Sequence, residues 1–404
     1  MQVSYLLRVG AIVAMSVAWD VAGAEAAPSG GRPPFLPADD SQVLQQVPSS
    51  ADPKILAIRA LRRKLDRAPD DARTAHELAA AYLDFGRQVG DAHYAGYAEA
   101  VLAPWLARAE PAAATMVIDA GILQYRHQFA DARQALARAL AREPHNRQAW
   151  LMRATLDLVQ GNHAAARRGC GQVAAGDTTL GIGCLAALRA ADGEAEQGVA
   201  MLELVAARGG GLPPALHAWI DGLAAEACER LGRWDAAERH YRAALAATPQ
   251  DNYLLVAYAD YLLDRGRPAE VLPLLADHAQ SDTAFLRVAL AHAALQSADR
   301  ASYVWAMGAR FDALKQRGSA CFGREEARFA LELAHDPAGA LDLAQKNWSA
   351  QREPGDVRVF LAAALAAQRP DAARPVIDFI RQNKLQDPII AELAARLAAL
   401  KGAE

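Results

Sequence analysis

A unit that repeats itself along the chain constrains the fold more than any other feature. Its clearest copy is "AWIDGLAAEACERLGRWDAAERHYRAALAATPQ", residues 218 to 250. Gly232 stands where a tight turn separates two amphipathic runs, and Ala237, Tyr241, Ala244 and Pro249 follow at spacings of four, three and five. The next copy, "NYLLVAYADYLLDRGRPAEVLPLLADH", places Tyr258, Ala259 and Leu262 on its first run and Gly266 at its turn, 34 residues after Gly232. Toward the N-terminus, "QAWLMRATLDLVQGNHAAARRGCGQV" puts Trp150, Ala154 and Gly161 on the same grid, and Ala132, Leu136, Ala139 and Pro144 repeat the second-run spacing. Gly193 marks a looser unit, with "RGGGLPP" absorbing the extra residues before the next one. Apolar residues at three- and four-residue spacing are one face of a helix. A helix pair of this size cannot bury its apolar face alone, so the units must stack. Alanine at the crossings lets backbones approach while a larger neighbour fills the adjoining hole.

The pattern resembles the tetratricopeptide repeat, whose second helix carries alanine, an aromatic, alanine and a closing proline at these spacings. The resemblance covers most of the chain after the leader. It implies an all-α, right-handed α-solenoid of stacked antiparallel helix pairs, and a role in holding other molecules. Composition agrees on helix: alanine, the strongest helix former, dominates, and Val/Ile/Thr alternation is rare.

Four segments are expected. Residues 1–24 read as a signal peptide, with Arg8 ahead of an apolar run to Ala18, then Ala22-Gly23-Ala24 as the cleavage pattern, so the mature chain begins at Glu25. The run is short for a membrane span and Asp20 ends it. Residues 25–53 form a Pro/Gly/Ser-rich leader whose Phe35, Leu36, Val43, Leu44 and Val47 suit docking onto a folded surface. Residues 54–317 form the solenoid, opening with Ile55, Ile58, Leu61 and Leu65 on one helix face behind Asp52-Pro53, with an insertion near 86–97. Residues 318–404 hold shorter helix pairs, with turns near Asp336-Pro337 and Arg369-Pro370, and a capping helix at the end. Both the 72–111 stretch and this C-terminal part are similar to segments of exported bacterial tetratricopeptide proteins. The expected location is therefore the periplasm or the exterior.

Chemistry is hard to assemble from this sequence. The net charge is −4 with both signs interspersed, which gives no basic stripe for nucleic acid. "GQVAAGDTT" at Gly171 to Thr179 fails as a phosphate loop because Asp177 stands where lysine is needed. The ten histidines form no HExxH pair, no GxSxG elbow is present, and Asn347-Trp348-Ser349 falls inside a predicted helix. Arg324, Glu325, Glu326 and Arg328 read as a solvated helix face. No enzyme, cofactor or metal site is expected. Of the four cysteines, Cys170 and Cys184 are candidates for a disulfide between adjacent helices, the alternative being two buried small hydrophobes; Cys228 and Cys321 rank below them.

The tetratricopeptide resemblance implies a concave groove lined by first-helix residues. On the repeat grid these are Arg73, His76, Asp84, Gln124, Tyr125, Trp219, Glu226, Tyr253 and Asp260. Trp219 and Tyr253 occupy equivalent positions one repeat apart, with Glu226 and Asp260 seven residues further along. Aromatic anchors with nearby charges suit a protein or peptide partner. The alternative is an envelope polysaccharide stacking on the aromatics.

Overall fold

The computed structural model describes residues 52–207, 211–316 and 323–401. The signal peptide, the leader up to residue 51 and Cys321 lie outside the described residues. The described chain is a stack of antiparallel helix pairs, and no strand occurs among the described residues. An opening helix, α1 (Pro53–Arg67), precedes the pairs α2 (Ala72–Val89) with α3 (His93–Leu106), and α4 (Ala113–Tyr125) with α5 (Phe129–Arg142). Next come α6 (Arg147–Val159) with α7 (His163–Gly176), α8 (Thr178–Ala191) with α9 (Ala195–Ala207), and α10 (Pro214–Arg230) with α11 (Trp234–Ala247). The series continues with α12 (Asn252–Asp264) and α13 (Pro268–Leu274), α14 (Asp282–Ala294) and α15 (Arg300–Gln316), and α16 (Gly323–Glu332) and α17 (Pro337–Trp348). It ends with α18 (Pro354–Ala366), a 3-10 turn, α19 (Arg374–Asn383) and α20 (Pro388–Lys401).

Local chemistry explains the punctuation. Asp52, Asp71, Asn146, Asp177, Asp251, Ser281 and Asp336 each accept a hydrogen bond from a first-turn amide of the helix that follows, satisfying donors a helix start leaves bare. Between paired helices, Gly161, Gly193, Gly232 and Gly266 take φ of 68° to 76°, a region that a side chain disfavours. The small positions of the repeat sit at the crossings: Ala237 and Ala244 have no exposed surface and Tyr241 between them has 1%. The extra residues near 86–97 lengthen α2 and form its turn into α3, where Tyr82, Phe85, Tyr94 and Tyr97 cluster with ring centres 4.9 to 6.1 Å apart.

The stack does not remain an open arc. Gln88 at the end of α2 donates to Gln250 ahead of α12 at 3.0 Å, so the first pair touches the sixth. The C-terminal segments lie across the turns of the middle pairs. The Arg352 amide donates to the Val159 carbonyl at 2.8 Å, and the Ala195 amide donates to Gln386 Oε1 at 3.2 Å. A Cβ on Gly161 would press into the Phe379 ring, and one on Gly193 would strike the Lys384 carbonyl. Those turns are therefore glycine twice over, for backbone conformation and for the close approach.

Cys170 on α7 and Cys184 on α8 are joined, with Cα atoms 5.4 Å apart and a sequence separation of 14. In the chain-entropy account, a link closing a loop of this length stabilises the fold by about 3 kcal/mol. The Cys170→Ala/Cys184→Ala double variant should lose that amount in denaturant unfolding. Equal stability of the variant and the oxidised wild type would refute the contribution.

Candidate binding lumen

Curling the stack and laying its C-terminal helices across the middle leaves an internal space with two parts. The inner chamber, about 1580 Å³ with its opening included, is walled by α6, α8 and α10 and closed by Arg352, Glu353, Pro354, Phe379 and Leu385. None of its lining residues is exposed. The outer chamber, about 1440 Å³ by the same measure, is lined by α12, α16 and α18 and reaches the surface at Asp264 and Glu332. Glu226, Arg230, Tyr253, Glu353 and Pro354 line both and form the neck.

The two chambers differ in chemistry. The inner wall is mostly small and aliphatic, with Leu151, Ala154, Leu158, Ala187, Ala190 and Ala218 among its residues. Trp219 is 8% exposed, and its indole Nε1 has no hydrogen-bond partner. At the neck, Arg230 Nη1 is likewise buried without one. The outer chamber is an ion network. Arg287 grips Asp260 through Nε at 2.9 Å and Nη2 at 2.6 Å, and also binds Glu325, while Arg328 binds Asp260 as well. Arg324 lies 3.4 Å from Glu325, 3.4 Å from Glu353 and 3.8 Å from Asp356. Arg358 joins Asp264 at 2.8 Å to Asp387 at 2.6 Å.

Burial and pairing pull the carboxylates in opposite directions. Burial alone would raise Asp260 and Glu325, but the guanidinium charges beside them outweigh it and hold both below the usual range. Glu229 has no such contact. Burial pushes it up to about 8, against the distant charge of Arg358 and the Tyr241 hydroxyl that donates to it. Glu226, whose bond is to the Tyr253 hydroxyl, is also raised by burial, and Glu353 is pushed up to about 7.

The residues expected in an open groove are distributed through this architecture differently. Asp84, Trp219, Glu226 and Tyr253 do converge, but on the enclosed inner chamber. Asp260 faces the outer chamber and is committed to Arg287 and Arg328. Gln124 and Tyr125 are buried inside the repeat stack, Gln124 with no exposed surface. His76 binds Thr115 Oγ1 at 2.8 Å between α2 and α4, and Arg73 pairs with Glu77 on its own helix. The charged run at 324–328 corrects the sequence reading most sharply: Glu325 is 3% and Glu326 4% exposed, the first covered by Arg287 and Arg324 and the second paired with Lys315, while Arg324 and Arg328 line the outer chamber. Arg230, Arg287 and Arg358 were not singled out by the repeat grid. Arg287 could have been noticed as a lone charge inside the apolar run "TAFLRVALAHAA".

No arrangement of nucleophile, base and oxyanion donors emerges from these contacts. His217 and His240 both reach Asp221, at 3.0 and 2.7 Å, and tie α10 to α11. Among the described residues, no three His, Cys, Asp or Glu side chains are placed to hold a metal ion, and no helix is long and apolar enough to cross a membrane.

No family model matches the chain, and no curated protein matches it. Among solved structures it is similar to one described as an APC/C hetero-tetramer of Cut9 and Hcn1, at 11% identity over 86% of this chain and 87% of that one, with a TM-score of 0.39. It is also similar to the TPR domain of P58(IPK), at 11% identity over 87% of this chain and 95% of that one, with a TM-score of 0.21. The architecture rests on the helix pairs themselves rather than on these overlaps. The chain is an all-α solenoid of stacked helix pairs, closed upon itself around a two-part lumen.

Proposed function

We propose that the protein is a non-catalytic interaction scaffold that works after export, in the periplasm or outside the cell, as part of an envelope assembly or export system. Because the chain's own C-terminal segments roof the inner chamber, a protein partner docks on the outer surface. The observation that carries this is Trp305, 70% exposed on α15. It stands in a stripe with Ala301, Ser302, Ala309 and Asp312, all exposed, and Leu295 at the end of the paired helix α14 is 40% exposed. A projecting indole flanked by small residues suits insertion into a partner's pocket, and tryptophan is enriched among residues that dominate binding energy.

The test is affinity purification from the periplasmic fraction, comparing wild type with Trp305→Ala. The wild-type chain should begin at Glu25 by mass spectrometry and bring down a stoichiometric partner. The variant should keep its unfolding midpoint, since the side chain is 70% exposed, and lose about 2 kcal/mol or more of binding, roughly thirtyfold in Kd. An intact Met1 would overturn the export reading, and unchanged affinity would overturn the docking surface.

A further inference from the structure

We propose that the inner chamber is a binding site for an anionic amphiphile, with its acyl chain lying along α10 from Trp219 and its anionic head at Arg230. The site is separate from the Trp305 face and does not depend on it.

The lining favours a chain-like guest. The chamber runs beside α10 between Trp219 and Arg230, eleven residues apart, or about 16 Å at the helical rise. Along that length the neighbouring walls present alanine and leucine from α6 and α8, an aliphatic slot beside α10. An acyl chain has no polar atoms to desolvate there, and each buried methylene is favourable. A polypeptide segment would need partners for its amides, and this wall supplies few.

The polar end selects the sign of the head. Arg230 Nη1 is buried at the neck without a partner, and an unpaired buried guanidinium N–H asks for an acceptor. Its carboxylate neighbours are engaged elsewhere: Glu226 takes the Tyr253 hydroxyl, and Glu353 faces Arg324. Burial also raises both carboxyls above the usual carboxylate range. Arg87 and Arg352 line the same chamber, Arg87 donating to the Gly121 carbonyl and Arg352 donating to the Trp348 carbonyl. A carboxylate or phosphate head would gain a charge-assisted hydrogen bond at this point.

Isothermal titration of the full mature chain with octanoate, decanoate, laurate and palmitate tests the assignment. One molecule should bind per chain, with affinity rising roughly tenfold for each two methylenes added within the slot. Arg230→Gln should weaken laurate about tenfold or more while leaving lauryl alcohol unchanged, because only the carboxylate uses the guanidinium. Ala187→Phe, which fills the slot, should abolish binding of both; circular dichroism and the unfolding midpoint establish that this variant is folded. Should Ala187→Phe fail to fold, the contrast between carboxylate and alcohol in Arg230→Gln still decides. The assignment is overturned if palmitate shows no saturable binding, or if binding ignores both variants, which marks association with the outer surface. Saturable binding of an apolar peptide that palmitate cannot displace would likewise overturn it in favour of a protein guest.

Discussion

Replacing Arg287 by methionine should destabilise the fold by about 3–5 kcal/mol, the range for breaking a buried ion pair from one side. Arg287 is 3% exposed and sits between Asp260 on α12 and Glu325 on α16, so one guanidinium joins three helix pairs. The loss comes less from the missing attraction than from what stays behind. Glu325, 3% exposed, keeps its charge with only the 3.4 Å contact to Arg324 to compensate it. Asp260 retains Arg328 and is the less affected partner. Arg287→Lys should recover little, because a point charge cannot reproduce the two-pronged grip on Asp260. The double variant Arg287→Met/Glu325→Gln, which removes both members of the buried pair, should regain more than half of the loss. Denaturant unfolding of the series provides the measurement. A single Arg287→Met variant within 1 kcal/mol of wild type would show that the network is incidental to stability.

The repeat itself was legible in the sequence because it is written locally. Gly232 and Gly266 mark their turns by a conformation few other residues tolerate, and Ala237, Tyr241 and Ala244 mark the crossings by size. The closure of the stack was not legible. Periodicity reports which face of a helix is apolar, and it treats every charged face as solvated. On α16 that rule inverts: the partners that neutralise the charges lie 38 residues away for Glu325 and 68 for Arg328, beyond any window that reads one helix at a time. The groove residues fared in proportion. Trp219 and Tyr253 were placed on a common side by the repeat, and they do share the inner chamber. That the side is roofed by Arg352, Glu353 and Phe379 depends on how far the superhelix curls, and small angles between successive pairs set that curl.

Raising the pH from 5 to 8.5 should cost the wild-type chain stability, and Glu229→Gln should remove most of that dependence. Glu229, 8% exposed, carries a folded pKa of about 8 against an ordinary carboxylate value of about 4.3. Below the ordinary value both folded and unfolded chains hold the proton, and the group's contribution is fully present. Between the two values the folded state binds the proton and the unfolded state does not, so stability falls as pH rises and is lost through pH 8. At about 1.4 kcal/mol per pH unit, Glu229 alone accounts for about 4 kcal/mol between pH 5 and 8.5. Glu353, at about 7, acts in the same direction over the lower part of the window. His127 acts oppositely: burial holds it down to about 3, so its contribution grows as pH rises from there and is complete above the ordinary histidine value of about 6.5. Asp260 and Glu325, depressed by their arginines, give a contribution already complete above the ordinary carboxylate range. From pH 6.5 upward the raised carboxylates therefore act without opposition from these groups, and the slope belongs chiefly to Glu229. The glutamine keeps a hydrogen-bonding oxygen for the Tyr241 hydroxyl and cannot ionise, so the variant should match wild type near pH 5 to within about 1 kcal/mol and exceed it increasingly toward pH 8.5. Unfolding free energies of both proteins at half-unit pH intervals decide the matter, and parallel curves would mean that Glu229 titrates like an exposed carboxylate.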